Sequence, residues 1–351
     1  MRTPPGNPCA PAAQLSPAPF VSRGGGSVPL RRPNSVRRTT SIDIDWPGGD
    51  SSAIRFRGHS RDARTGADGA LVTLAQSWVE AQASETREFS RVCSSEHPAG
   101  IAALAGSRAG GKLRALLCSA FPDPADQLSG HFLLLDDLAG ASLVSSWGWL
   151  AWTREFEAFT ARAKAKGIGG KDGNMRGVCI GLGPDSQSLD ADGYPLIEQQ
   201  GSTLVPDLAN PADPDGWQGP PDQPGVTPPG PGTRRARWID VWREDDTLHA
   251  LGGFQDSALE RDGSRLAIHE YRFEVQVDAP SGLIRKVRAI PHVLPHTECP
   301  AAVHGVARLV GRPLADLRID VPTLFAREAG CTHLNDVLRA LVCLPALADS
   351  R

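Results

Sequence analysis

The sequence lacks long apolar runs, paired cysteines and an excess of one charge, which argues against several classes of protein. No apolar stretch among the 351 residues approaches the ~20 that cross a bilayer as a helix. The seven cysteines are an odd number and include no Cys-x-x-Cys pair, so neither a disulfide framework nor a zinc ribbon is indicated. A net charge of −3 provides no broad attraction to nucleic acid or to an anionic membrane. We therefore expect a cytoplasmic protein with no nucleic-acid or membrane partner.

The common catalytic signatures are also missing. The sequence contains no Gly-x-x-x-x-Gly-Lys-Ser/Thr loop, no Gly-x-Ser-x-Gly elbow and no His-Glu-x-x-His helix. These absences remove the motifs that would identify a reaction class directly. Whether the protein is an enzyme is therefore left open by the sequence.

Glycine and proline are abundant, and they concentrate in two segments. Residues 1–36 and residues 205–235 are rich in Pro and Gly, and such composition buries too little apolar surface to order itself. We interpret the first segment as a disordered arm and the second as a linker. Residues 151–204 then form a connecting region, with one helix predicted over residues 153–166.

The chain after the second segment has the pattern of a β-meander followed by helices. Alternation places Tyr271, Phe273, Val275 and Val277 on one face of a strand, and Asp262-Gly263 is a turn signal before it. From Pro300 onward the apolar residues repeat at helical spacing instead. Residues 236–351 therefore form one α+β unit.

The first half repeats this plan. The matching segments keep their order: Gly58, Asp62 and Asp68-Gly69 recur as Gly252, Asp256 and Asp262-Gly263, Glu96-His97-Pro98 recurs as Glu298-Cys299-Pro300, and the segment from Gly130 to Leu138 aligns on Gly330 to Leu338. We predict two related units, residues 37–150 and 236–351, each an antiparallel β-meander with two or three short helices. They would pack as a pseudo-dimer, in a monomeric chain or a homodimer.

The end of the chain resembles a known bacterial family. Cys299-Pro300, Leu309-Val310-Gly311 and Gly330-Cys331-Thr332-His333-Leu334 are similar to the ending of the domain of unknown function DUF2889. The segments Arg37 to Ile42 and Gly58 to Asp62 resemble the opening of its longer members. The resemblance implies a bacterial cytoplasmic protein, a long form with an internal duplication, and it supplies no reaction.

The most reactive group of residues in the sequence is Cys331, His333 and Asp336. Cys331 lies just ahead of a predicted helix, where backbone N–H groups and the helix dipole would lower the pKa of its thiol. Cysteine, histidine and a carboxylate are the parts of a nucleophilic site, and they are also metal ligands. We expect Cys331 as nucleophile or ligand, His333 as base or ligand and Asp336 as an orienting group. A purely structural role at a helix start fits the sequence equally well.

The alignment of the two halves adds a set of metal candidates. Where the second half has Cys299 and Cys331, the first half has His97 and His131. Metal ligation tolerates exchange between Cys and His, whereas a thiol nucleophile does not. These four residues and His333 are therefore candidate ligands for a divalent metal such as zinc.

Asp62 and Asp256 form the other duplicated polar pair. They are candidate ligand-binding residues, with strand-edge carboxylates as the alternative. His269 shares a strand face with aromatic residues and is predicted as a core histidine, while His296 is a reserve candidate.

Two function hypotheses follow from these residues. The leading one is an enzyme that acts on a small organic substrate through a Cys/His/Asp site in the C-terminal half. The other is a non-catalytic ligand-binding or accessory protein that uses the cleft of the pseudo-dimer.

Overall fold

The computed structural model describes residues 20–50, 52–166, 174–196, 201–219 and 230–350. Within these ranges, a block of antiparallel strands is followed by helices, and the same succession then occurs a second time. The predicted α+β class is confirmed. None of the helices in these ranges is both long and apolar enough to cross a membrane.

The strands form one antiparallel sheet. Its members are β1 (Ser35–Asp45), β2 (Ala53–Thr65), β3 (Leu71–Ser84), β4 (Phe89–Ser94), β5 (Thr203–Val205), β6 (Gly232–Glu244), β7 (Thr247–Leu259), β8 (Arg265–Asp278) and β9 (Ile284–Val293). The order across the sheet is β4-β3-β2-β1-β6-β7-β8, and both β5 and β9 pair with β8, along different stretches of it. The two meanders meet at the centre, because β1 pairs with β6.

The predicted turns occur in both meanders. Gly69 and Gly263 adopt φ values of 82° and 87°, which glycine reaches without the penalty that a Cβ imposes. Each meander also has a break in register at the same place, after Asp62 in β2 and after Asp256 in β7. Such bulges turn a side chain away from its regular direction and are common beside functional sites.

Helices cover one side of the two meanders. They are α1 (Pro98–Ala102), α2 (Leu113–Ala120), α3 (Pro124–Gln127), α4 (Gly130–Thr153), α5 (Phe156–Lys166), α6 (Leu317–Leu324), α7 (Thr332–Ala340) and α8 (Leu344–Ala348), with 3-10 turns at Ile180–Leu182, Pro214–Gly216, Cys299–Leu309, Leu314–Asp316, Arg327–Ala329 and Leu341–Cys343. The long helix α4 is almost entirely buried, because it contacts strands of both meanders and also α7. Ser129 caps its start by accepting a hydrogen bond from the Phe132 N–H.

Each meander contributes to its own hydrophobic core. Phe56, Phe89 and Leu117 belong to the core of the first, and Phe273 and Leu338 to that of the second. Residues of α4 take part in both cores. A cavity lies where α4, both meanders and the connecting region come together.

Two predicted unstructured segments are partly packed. Residues 20–34, predicted within a disordered arm, run across the sheet, and Val28 is buried against Leu208 and Trp217. Residues 1–19 of that arm lie outside the described residues, as do residues 220–229 of the predicted linker. The linker prediction differs from the structure on both sides of that gap, because Trp217 is buried and β6 already begins at Gly232.

Several helix boundaries also differ from the prediction. The connecting helix α5 begins at Phe156 rather than at residue 153, since α4 continues through Thr153 and ends with Arg154 in the left-handed region. The segment from Cys299 to Leu309, where the apolar residues repeat at helical spacing, is a 3-10 helix.

Candidate functional site

A cavity of about 240 Å3 lies between α4, the start of α7, both meanders and the connecting region. Much of its wall is apolar, with Trp46, Ile54, Trp147, Trp149, Leu182 and Ile268 among the lining residues. Trp46 and Trp149 pack edge to face, with ring centroids 5.5 Å apart. The polar part of the wall contains His269, His296 and His333 together with Cys179, Cys299 and Cys331.

Two histidines and a carboxylate meet at this polar part of the wall. Asp256 on β7 pairs across the sheet with His269 on β8, directly at the bulge. His333, in the first turn of α7, stacks on the His269 ring with centroids 3.6 Å apart. Asp256 Oδ2 lies 3.6 Å from His269 Nδ1 and 3.7 Å from His333 Nε2. Three side chains from three elements thus converge on one point.

Burial determines the protonation state of these histidines. It lowers the pKa of both His269 and His333 well below the usual range, and the Arg235 guanidinium adds to the effect. Both rings are therefore neutral near pH 7. His269 Nδ1 and His333 Nε2 have no hydrogen-bond partner among the described residues. Neutral imidazole nitrogens without partners can accept a proton or bind a metal ion.

His296 extends this group. Burial lowers the pKa of its imidazole, and its Nδ1 is also without a partner in the described part of the chain. The ring is close enough to contribute to the lowered pKa values of His269 and His333. His296, a reserve candidate from the sequence, therefore lies on the cavity wall beside the other two histidines.

Arg235 holds the carboxylate of Asp256 in place. Its Nε and Nη2 donate to Oδ1 and Oδ2 at 2.9 and 3.0 Å, and both side chains are 1% exposed. Burial raises the pKa of Asp256, although Arg235 opposes that shift. Nη1 of the same guanidinium donates to Asp336 at 3.0 Å. Asp256, which is among the predicted ligand-binding residues, is thus at the site, fixed by an arginine that the sequence did not single out.

Asp336 occupies a different position from the one predicted. Burial raises the pKa of its carboxyl, but Arg114 and Arg235 outweigh this and lower it. Its carboxylate accepts from Arg114 at 2.6 Å and from Arg339 at 3.0 Å. Asp336 therefore belongs to a buried ion network between α7 and α4, and it reaches His333 only indirectly, through Arg235 and Asp256.

The predicted lowering of the Cys331 pKa is wrong. Burial raises the pKa of the Cys331 thiol and outweighs the backbone N–H groups of His333 and Leu334, which favour the thiolate as expected. Its Sγ lies 4.0 Å from His333 Nδ1, so the sulfur and the ring are neighbours. A neutral, buried thiol is a poor nucleophile.

The other cysteines on the wall are also neutral. Burial raises the pKa of Cys179 to about 12 and that of Cys299 further. Cys299 and Cys331 are on the wall of the same cavity. Among the described residues, however, neither cysteine belongs to a group of three whose ligand atoms all lie within 4.8 Å of one another.

Two such groups occur in the described ranges: Asp256, His269 and His333 form one, and Glu96, His97 and His131 form the other. In the second group the His131 ring is 1% exposed and its Nε2 has no partner, while His97 is partly exposed beside Asp126. The predicted metal candidates His333, His97 and His131 therefore fall into two separate places.

Asp62 has no part in either group. It forms a buried ion pair with Arg38 through two bonds of 2.7 Å, and neither residue lines the cavity. Arg38 and Asp62 face each other across β1 and β2, just as Arg235 and Asp256 face each other across β6 and β7. The two pairs match in position, and the second has His269 and His333 against it.

Comparison with known proteins gives one match. No curated protein and no solved structure matches the chain. Residues 233–345, which contain Asp256, His269 and His333, match the model of the family described as "Protein of unknown function (DUF2889)", and this confirms the resemblance for that part of the chain.

Proposed function

We propose that the protein is an enzyme that binds a small organic acid in the cavity and transforms it beside His269 and His333. The observation that carries this proposal is the pair of buried, neutral imidazoles with unpartnered nitrogens on the wall of a largely apolar cavity. Unsatisfied buried polar atoms cost about 1–3 kcal/mol each, so they are kept where a ligand or a reaction uses them.

The volume and the apolar lining of the cavity indicate the size and the hydrophobic part of the substrate. Its volume of about 240 Å3 is near the lower end of the ~300–1,000 Å3 of small-molecule sites. Trp46, Trp147 and Trp149 supply large apolar surfaces, which favour an aromatic or branched aliphatic body. A small substituted ring fits this description.

Arg87 supports an anionic group on the substrate. It lines the cavity, and burial together with Arg108 lowers the pKa of its guanidinium to about 10. Among the residues that the structure describes, the charged group that shifts the pKa of Arg87 is Arg108 and not a carboxylate. A half-buried guanidinium of this kind is well placed to pair with a carboxylate of a ligand.

The matched bulges and the matched pairs Arg38–Asp62 and Arg235–Asp256 support a second proposal, that the two halves derive from duplication of one unit. In this view the halves form a pseudo-dimer within one chain. The second half keeps the site, and the first retains the ion pair as part of the frame.

Matched ligand pairs test the proposed function. A panel of small aromatic and branched aliphatic carboxylates, each with its primary amide, is titrated while the tryptophan fluorescence of the full chain is recorded. We expect the acids to quench the tryptophan fluorescence and to bind with at least about tenfold higher affinity than the amides. Arg87→Gln should remove that preference, whereas Arg91→Gln on the exposed face of β4 should retain it.

Product analysis separates an enzyme from a binding protein. Acids that bind are incubated with the protein, with and without added Zn2+ or Fe2+, and analysed by mass spectrometry. We expect a change of mass with the wild type, and its loss in His269→Asn and His333→Asn. If the acids bind and always return unchanged, the protein is a non-catalytic ligand-binding protein.

A further inference from the structure

We propose that Asp256, His269 and His333 bind a divalent transition-metal ion. The three donor atoms are Asp256 Oδ2, His269 Nδ1 and His333 Nε2, and both nitrogens lie 3.6–3.7 Å from the same carboxylate oxygen. Two imidazole nitrogens and one carboxylate oxygen suit Zn2+ or Fe2+ and do not suit Ca2+ or Mg2+, which take oxygen ligands. Metal binding would supply the proposed enzyme with its reactive centre, but it is measured without any substrate.

The spacing of the donors fits one ion. Metal–ligand bonds of about 2.1 Å to two atoms separated by 3.6–3.7 Å subtend an angle of roughly 120° at the ion. Three protein ligands leave at least one position of a four-coordinate ion free. Because His269 and His333 line the cavity, a free position would face the bound organic molecule.

Within the described part of the chain, His269 Nδ1 and His333 Nε2 are buried and form no hydrogen bond. His269 is 6% exposed and His333 is 7% exposed, and neither His269 Nδ1 nor His333 Nε2 has a hydrogen-bond partner there. The rings stack with an angle of 19° between their planes. A metal ion satisfies both nitrogens together, which a single hydrogen-bond donor cannot do.

The tautomer of His333 is compatible with this role. Its Nδ1 lies 3.3 Å from the Thr332 hydroxyl, which can accept a hydrogen bond from it. With the proton on Nδ1, the lone pair is on Nε2, which lies 3.7 Å from Asp256 Oδ2. Ligating histidines commonly use their second nitrogen in this way, and the outer contact fixes the orientation of the ring.

Arg235 places a positive charge beside the proposed metal ion, and neighbouring carboxylates offset that charge. Each oxygen of a carboxylate has more than one lone pair, so Asp256 Oδ2 can accept from Arg235 and still bind a cation. The guanidinium charge is itself offset by Asp336 at 3.0 Å and by Asp137 at 3.7 Å. Arg235 therefore acts as a positioning residue that orients the carboxylate.

The group Glu96, His97 and His131 supplies a matched control, because it offers the same donor types at a different place. The full chain is stripped with a chelator and then loaded with Zn2+, Co2+ or, without oxygen, Fe2+. Metal content is measured after gel filtration for the wild type, His269→Ala, His333→Ala and His131→Ala. Far-ultraviolet circular dichroism and unfolding midpoints of the stripped proteins show which variants remain folded.

We expect one equivalent of metal to be lost in His269→Ala and in His333→Ala and kept in His131→Ala. Loss of an outer-shell partner already costs 10–100-fold in affinity, so loss of a ligand should weaken binding by more than about 100-fold. Metal content that is unchanged in both His269→Ala and His333→Ala would overturn the proposal.

The cobalt spectrum of the wild type gives a test that needs no variant to fold. Nitrogen and oxygen ligands give only visible d–d bands, so we expect these without a thiolate-to-cobalt band in the near ultraviolet. A strong thiolate band, lost in Cys331→Ala, would place the metal on the cysteines and overturn the assignment. A failure to bind any metal would also overturn it, while leaving binding and turnover of organic acids as a separate result.

Discussion

His269 and His333 lie face to face, with ring centroids 3.6 Å apart and an angle of 19° between the planes. One ring belongs to a strand of the sheet and the other to the first turn of α7. A stack this close is compatible with two neutral rings and is opposed by charge on both. The stack therefore links the packing of α7 against the sheet to the protonation state of the site.

This link predicts that acid destabilises the protein through His333. Burial holds the pKa of His333 well below the value of about 6.5 in the unfolded chain. As the pH falls through 6.5, the unfolded chain binds protons first, so stability present above that pH is lost on acidification. Each unit of pKa difference corresponds to ~1.4 kcal/mol.

The raised pKa of Asp256 makes the protein more stable as the pH falls, which is opposite to the effect of His333. The test therefore compares variants with one another. Urea unfolding is measured at pH 8, 7, 6 and 5. We expect His333→Gln to reduce the fall in the free energy of unfolding between pH 8 and pH 5 by at least about 1 kcal/mol. The exposed His304→Gln serves as control, and equal slopes for the two variants would contradict the prediction.

Removal of Arg235 should destabilise the fold strongly. Its guanidinium is 1% exposed and contacts Asp256, Asp336 and Asp137. Loss of one partner of a buried ion pair leaves uncompensated charge and costs about 3–5 kcal/mol. Arg235→Ala should therefore lower the free energy of unfolding in urea by about that amount.

Arg243→Ala is the matched control for this change. Arg243 pairs with Asp349 at 3.3 Å, and the two side chains are 48% and 72% exposed. Surface pairs of this kind contribute about 0–1 kcal/mol. A cost for Arg235→Ala as small as that of Arg243→Ala would mean that water reaches the ion network.

The hairpin that carries the central pairing is predictable from the sequence, but the partner of Asp256 depends on the bulge. Asp256 and His269 stand at equal distances from the Asp262-Gly263 turn, and they are partners in the sheet. The turn and the alternation were both recognised in the sequence, so the hairpin itself was predictable. The sequence nevertheless predicts His269 as a core residue, because it shares its strand face with Tyr271 and Phe273.

The approach of His333 to that pair was not predictable from local pattern. The helix start near Thr332 was expected, and α7 does begin there, with Cys331 at the N-cap position. What the sequence does not contain is the packing of α7 on β8, which depends on contacts across the whole second core. The same packing buries Cys331 and reverses the expected direction of its pKa shift.

Gly140 in α4 is predicted to be indispensable to the ion network. A Cβ at this position would overlap the Arg235 guanidinium and the Asp336 carboxylate. Alanine favours a helix by ~1 kcal/mol over glycine, but overpacking of a buried position costs about 1–3 kcal/mol, and the displaced charges add to that. Gly140→Ala should therefore destabilise the protein in urea unfolding.

Gly111→Ala provides the comparison, because nothing lies within 4 Å of a Cβ built at that position. We expect its unfolding midpoint to stay within the error of the wild type. A Gly140→Ala variant as stable as the wild type would show that α4 can move away from Arg235 without cost.

Thiol labelling decides between a histidine site and a cysteine nucleophile. Burial raises the pKa of both Cys299 and Cys331, whereas Cys118 is exposed at the surface. Since the thiolate is the reacting species and the buried sulfurs are also inaccessible, iodoacetamide at pH 8 should modify Cys118 more than about 100-fold faster than Cys331. Peptide mass spectrometry after timed quenching gives the rate at each cysteine, and urea should bring the rates together. If native Cys331 is modified as fast as Cys118, the result would support Cys331 as a thiolate nucleophile.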